Sequence, residues 1–166
     1  ATAIFPLTAS ENKEKIYSWL ALMSRLFLFF YAIVCLALVI TGHWLFPFVF
    51  GHTFTSMHVA FIFLVPGILS LSTLYTLTAY NAGINKLKEN MIGCVLALMV
   101  VIAGNALLVP VYGINAAAGV SSMGYIVFQV YLLLDFKKEY QINISSFFFL
   151  QLDDLKVLKK NIMFKK

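Results

Sequence analysis

The sequence predicts an all-α protein, a polytopic membrane bundle of four transmembrane helices, on three observations. Mean hydropathy is +0.90, with 61% hydrophobic and only 11% charged residues, too little polar surface to keep a soluble domain wetted. Four apolar runs each approach the length of about 20 helical residues that crosses a roughly 30 Å hydrocarbon layer. The 12 basic residues gather in the segments between and beyond those runs. With 166 residues in all, no room is left for a separate soluble domain.

Taken in order, the first segment, ATAIFPLTA, is apolar but too short to span, lacks an initiator Met and runs straight into a basic stretch. Residues 1–10 are therefore expected to end a preceding transmembrane helix, and further helices of the same protein are expected upstream. A cleaved signal peptide would put residue 1 outside and require a crossing within about nine residues, shorter than a helix allows.

Residues 11–136 form the expected four-helix unit. Its first span is Leu26–Leu45, preceded by the polar stretch Glu11–Lys15 with Arg25 at the threshold. The second, His58–Tyr80, contains Pro66 and Gly67, which membrane helices tolerate because neighbours re-satisfy the freed carbonyl, and a kink is expected there. The third, Met91–Val109, is expected to stop at Pro110, and the fourth, Asn115–Leu134, at Asp135. Between these two lies a tight VYGI turn. The small-residue run AAAG at 116–119 is expected to pack closely on another helix.

Residues 137–166 read as a basic tail. Phe147, Phe148, Leu152, Leu155, Leu158 and Ile162 recur at helical spacing, which fits an amphipathic helix lying on the membrane surface, with a disordered basic tail as the alternative.

Orientation follows from the Lys and Arg count, because basic residues near span ends stay on the cytoplasmic side. Lys13, Lys15 and Arg25 precede the first span, Lys86 and Lys88 join the second to the third, and Lys137, Lys138 and five further lysines follow the fourth. Both ends of the unit are thus expected in the cytoplasm. The loops Thr41–Met57 and Pro110–Ile114 are expected outside. Clusters so placed meet anionic lipid headgroups, and nucleic-acid binding is excluded.

The chemistry is sparse. All seven acids lie in loops or at span ends, so no carboxylate is expected at mid-membrane depth to carry a proton or Na⁺. No acid, histidine or thiol pair fits an intramembrane hydrolase or acyltransferase, so the chain is not expected to be an enzyme, and no cofactor is implied. His43, His52 and His58 match no metal-ligand spacing and read as interfacial anchors beside Trp44. Cys35 and Cys94 lie inside apolar runs and suggest no disulfide framework.

Arg25 has two readings, a bidentate contact for a pyrophosphate in a vestibule or a side chain that snorkels to headgroups, and its threshold position favours the second. Ser72, Thr76 and Gln129, with Ser70, Thr73, Asn105, Ser121 and Ser122, either line a wet cavity or hydrogen-bond between helices. With Arg25, the residues Ser72, Thr76 and Gln129 make the candidate substrate-binding set.

The order LLVPVYGINAAAG at 107–119, with Asn105 just before the proline, resembles a pattern in bacterial O-antigen and other polysaccharide flippases. VFGHTFTS at 49–56 is similar to their external loop before the tenth helix, and YNAGINK at 80–86 to the short cytoplasmic turn after it. Asn115 departs from the pattern, where glycine is common, which should loosen packing at that turn.

The resemblance covers roughly residues 1–140. It implies the last four helices of a twelve-helix multidrug/oligosaccharidyl-lipid/polysaccharide exporter fold in the bacterial inner membrane. The implied activity is transport of an undecaprenyl-pyrophosphate-linked oligosaccharide from the inner to the outer leaflet. Its implied partners are membrane lipid, that lipid-linked oligosaccharide and the missing N-terminal helices. A multidrug or lipid exporter of the same superfamily, or a small non-transporting four-helix subunit, are the alternatives.

The charge pattern makes a direct prediction. With both native cysteines replaced by serine, a cysteine placed at Thr53 should react with an impermeant thiol reagent on intact cells and one at Lys86 should not. External labelling at Lys86 would overturn the orientation.

Overall fold

Four long helices account for nearly all of the structure, a computed structural model that describes residues 13–54 and 56–140. They are α1 (Lys13–Phe50), α2 (Met57–Gly83), α3 (Leu87–Tyr112) and α4 (Ile114–Tyr140), with one 3₁₀ turn at His52–Phe54. Among the described residues every element is helical, and all four helices are long and apolar enough to cross a membrane. The expected helix end over residues 1–10 lies outside the described residues, as does the expected tail beyond Tyr140.

Three expected boundaries move. Helix α1 runs for 38 residues from Lys13, because Ile16–Ser24 carries no charge and extends the helix upstream of the expected start at Leu26. Arg25 therefore lies within the helix and not at its beginning. Helix α3 passes through Pro110 to Tyr112, since a proline in the last turn forfeits only one backbone bond. The stop comes from Gly113, whose φ of 62° suits glycine and whose N–H donates to the Val109 carbonyl at 2.8 Å. Likewise α4 continues past Asp135 to Tyr140.

The helices pack in the order α1, α2, α4, α3, with only light contact between α2 and α3. Ser24 meets Thr73 and His58 meets Val39, so α1 and α2 are antiparallel. Ser122 meets Phe63 and Tyr80 meets Phe136, so α2 and α4 run parallel. The start of α1, the α2–α3 turn and the end of α4 thus share one end of the bundle, the basic end. That turn is closed by Asn85 in the left-handed region at φ 61°. Asn81 Nδ2 there donates to Asn90 Oδ1 at 2.9 Å, and Asn90 Nδ2 donates to the Thr78 carbonyl at 3.0 Å.

An apolar core fills the basic end. Leu20 and Ala21 from α1 meet Leu74, Leu77 and Tyr80 from α2 and Leu132, Leu133 and Phe136 from α4. Within a bilayer such a core is held by close packing, since lipid tails are as apolar as leucine, and the Tyr80 and Phe136 rings pack edge-on at 5.4 Å. At the other end His58 Nε2 donates to the Val39 carbonyl at 2.9 Å. The His43 ring is 6.0 Å from His58, and among the described residues no group of three or more ligating side chains could hold a metal.

Close approach between helices occurs at glycines other than Gly119. A Cβ on Gly119 would meet nothing, whereas one on Gly67 would fall 2.7 Å from Ser122 Cα. On the α3–α4 seam Gly93 and Gly104 make the same kind of room for Phe128 and Val120. The AAAG run lies beside a cavity instead, lined in part by Ala116 and Gly119.

Around Pro66, α2 and α4 are joined by one hydroxyl. Ser122 Oγ donates to the Phe63 carbonyl at 2.7 Å and accepts from the Gly67 N–H at 3.3 Å, bridging the two groups that face each other across a helical turn. Gly67→Ala is therefore expected to destabilise the bundle by about 1–3 kcal/mol, because backbone and not a flexible side chain obstructs the new methyl. Gly119→Ala is expected to be neutral or to stabilise by up to about 1 kcal/mol. Thermal unfolding in detergent would reveal both, and equal shifts would contradict the packing.

Candidate functional site

One helical turn beyond the apolar core, toward the middle of the spans, the inward-facing residues become polar. Residues four apart share a helix face, so Ser24 and Arg25 follow Leu20 and Ala21 on α1. Ser70 and Thr73 likewise precede Leu74 and Leu77 on α2, and Gln129 precedes Leu133 on α4. All five are buried, Arg25 at 5% exposure and Gln129 at 6%. They form a polar layer across three helices.

The hydroxyls of this layer are largely committed. Ser24 Oγ donates to Thr73 Oγ1 at 2.8 Å across the α1–α2 seam, and Ser70 Oγ donates to the Pro66 carbonyl at 3.0 Å. Gln129 differs, since its Nε2 is buried without a hydrogen-bond partner. A buried amide nitrogen left without an acceptor costs about 1–3 kcal/mol. An arginine side chain carries five donors in a planar fork. The layer thus combines a guanidinium, hydroxyls and an amide, groups suited to an anion or to carbonyl and hydroxyl oxygens.

The four residues singled out in the sequence fall into two groups. Arg25 and Gln129 are brought to the same level, on α1 and α4, the two helices that flank α2. Ser72 and Thr76 are also buried, at 0% and 1% exposure, but Ser72 Oγ donates to the Leu69 carbonyl at 2.7 Å and Thr76 Oγ1 to the Ser72 carbonyl at 3.0 Å. Their protons are spent on their own helix, and only lone pairs remain to offer. Ser24 is the member that sequence reasoning missed. Its signal was available in its position four residues after Leu20, once α1 is extended upstream of Leu26.

No protein family, curated protein or solved structure matches the chain. The functional reading therefore rests on the layer, on the charge pattern and on the motif resemblance in the sequence.

The unpartnered Gln129 amide makes the layer testable without an assay of function. Gln129→Leu is expected to leave thermal stability in detergent unchanged or to raise it by about 1 kcal/mol, because it removes a buried donor and fills similar volume. A loss of more than about 2 kcal/mol would show that the amide is engaged in the folded protein.

Proposed function

We propose that the chain is part of a membrane transporter that carries an undecaprenyl-pyrophosphate-linked oligosaccharide from the inner to the outer leaflet of a bacterial cytoplasmic membrane. The observation that carries this reading is Arg25, a permanent cation buried inside a span within a layer of hydroxyl and amide groups. An ionisable group at such depth is expensive, and membrane proteins keep such groups on substrate or ion paths. A pyrophosphate is a fitting partner for a planar guanidinium, which engages two oxygens at once.

The burial reverses the balance between the two readings of Arg25. A snorkelling arginine extends its head toward water and phosphate, whereas this one is buried, at 5% exposure. The positive-inside pattern puts the layer in the cytoplasmic half of the membrane, where a lipid-linked substrate assembled in the cytoplasm would first be met. The order of motifs shared with polysaccharide flippases supports the same substrate class. Exporters of drugs or other lipids are the related alternative, and a small non-transporting subunit is the unrelated one.

Replacing Arg25 in the intact transporter separates these readings. Arg25→Gln is expected to abolish complementation of surface-polysaccharide export at unchanged protein level, and Arg25→Lys to retain part of it, because lysine keeps the charge but not the fork. Protein level and thermal stability are followed in parallel. Full export by a stably folded Arg25→Gln variant would remove the arginine from the substrate path.

A further inference from the structure

Between Arg25 and Lys86 the sequence has no Asp, Glu, Lys or Arg. At the end of the bundle opposite the basic one, the ionisable chemistry that α1 and α2 share is therefore that of histidine. His43 of α1 and His58 of α2 meet across the seam between these helices, with ring centres 6.0 Å apart and ring planes inclined at 73°. Gly42 permits the approach, since a Cβ there would fall 3.0 Å from His58 Cδ2. Sequence spacing hides this pair, because its members sit on different helices.

The hydrogen bond of His58 decides which of its nitrogens can act as a ligand. A carbonyl oxygen only accepts, so the Nε2 that lies 2.9 Å from the Val39 oxygen carries the proton. In the neutral ring Nδ1 then keeps its lone pair. A ring N–H held by a backbone carbonyl is the usual support behind a metal-bound histidine, for it fixes both tautomer and ring orientation.

The spacing fits an ion as well. With a metal–nitrogen bond of about 2.1 Å and ~1.1 Å more to the ring centre, two imidazoles on one ion have centres roughly 5.2–6.4 Å apart, from tetrahedral to linear geometry. The observed separation of 6.0 Å falls within that range. Neutral imidazoles suit Zn²⁺, Cu²⁺ or Ni²⁺, whereas Mg²⁺ and Ca²⁺ take oxygen ligands. His43 is exposed, so an ion can reach the pair and water can complete its shell. His52, on the 3₁₀ turn at the same end, is not a third ligand, since among the described residues no three ligating side chains come together.

We propose that His43 and His58 form a two-histidine site for a divalent transition-metal ion of the zinc class, which clips α1 to α2. The site does not depend on the transport reading, because it lies about 27 Å along α1 from Arg25.

The test is equilibrium dialysis of the tag-free full chain in detergent against ZnCl₂, with MgCl₂ as control and thermal unfolding in parallel. Both cysteines are replaced by serine, and the pH is held at about 7.5, where imidazole is neutral. One Zn²⁺ per chain is expected, with unfolding moved to higher temperature as zinc rises above its dissociation constant and no shift with Mg²⁺. His43→Gln and His58→Gln should each weaken binding by at least about tenfold, the loss that even an outer-shell partner can bring. His52→Gln should leave it unchanged. His43→Gln removes an exposed side chain and so keeps the test valid even if His58→Gln, which also loses the Val39 bond, fails to fold; circular dichroism without zinc checks both. Absence of zinc binding by the folded chain would overturn the proposal. So would binding that survives in a folded His43→Gln variant, or binding that needs His43 but survives His58→Gln, which would give the ion to a contact between two copies.

Discussion

A bilayer offers no water to a backbone group that has lost its partner, and in α2 that constraint is sharpest at Pro66. The proline has no N–H to offer the Ile62 carbonyl, and the next pair along α2 is bridged from outside. Ser122 of α4 does this with a single hydroxyl held between the Phe63 carbonyl and the Gly67 N–H. Because only glycine at 67 lets the α4 backbone come so near, the bridge also sets the height of α4 against α2. The levels of Gln129, Leu132, Leu133 and Phe136 follow from it, seven to fourteen residues further along the same face.

Core and polar layer are consequently one arrangement. An arginine within a span costs about 2.5–3.5 kcal/mol on insertion scales, while helix packing within a bilayer gains only van der Waals contact and hydrogen bonds. That cost is the physical ground of the proposed role in transport. The Ser24–Thr73 hydroxyl pair adds about 0.6 kcal/mol if it behaves as membrane hydrogen bonds usually do; its greater importance is in fixing which way α1 faces α2.

Much of this was legible in the residues. The number of helices, their order and the common end of the basic segments follow from hydropathy and charge, both properties of the local chain. What failed were boundaries and faces. Pro110 signals a stop in sequence, but a proline so near a helix end costs little and Gly113 ends the helix instead. The AAAG run has the composition of a tight seam, yet Gly119 borders open space because the close contacts were set elsewhere, at Gly67, Gly93 and Gly104. The start of α1 moved for a related reason. Ile16–Ser24 is uncharged and continues the helix upstream of Leu26. Which faces turn inward depends on the heights at which helices meet, and no local pattern contains that.

The central claim is that the Arg25 turn of α1 is packed inside the bundle against α2. Thiol pairing tests it in native membranes, with Cys35 and Cys94 first replaced by serine. Cysteines introduced at Ser24 and Thr73, whose hydroxyl oxygens lie 2.8 Å apart, should oxidise to a disulfide and lose both thiols to a maleimide probe. A control pair at Ser24 and the exposed Tyr75 should keep both. If the Ser24 and Thr73 positions retain free thiols under the same oxidation, α1 does not present this face to α2, and the buried polar layer around Arg25 does not exist as described.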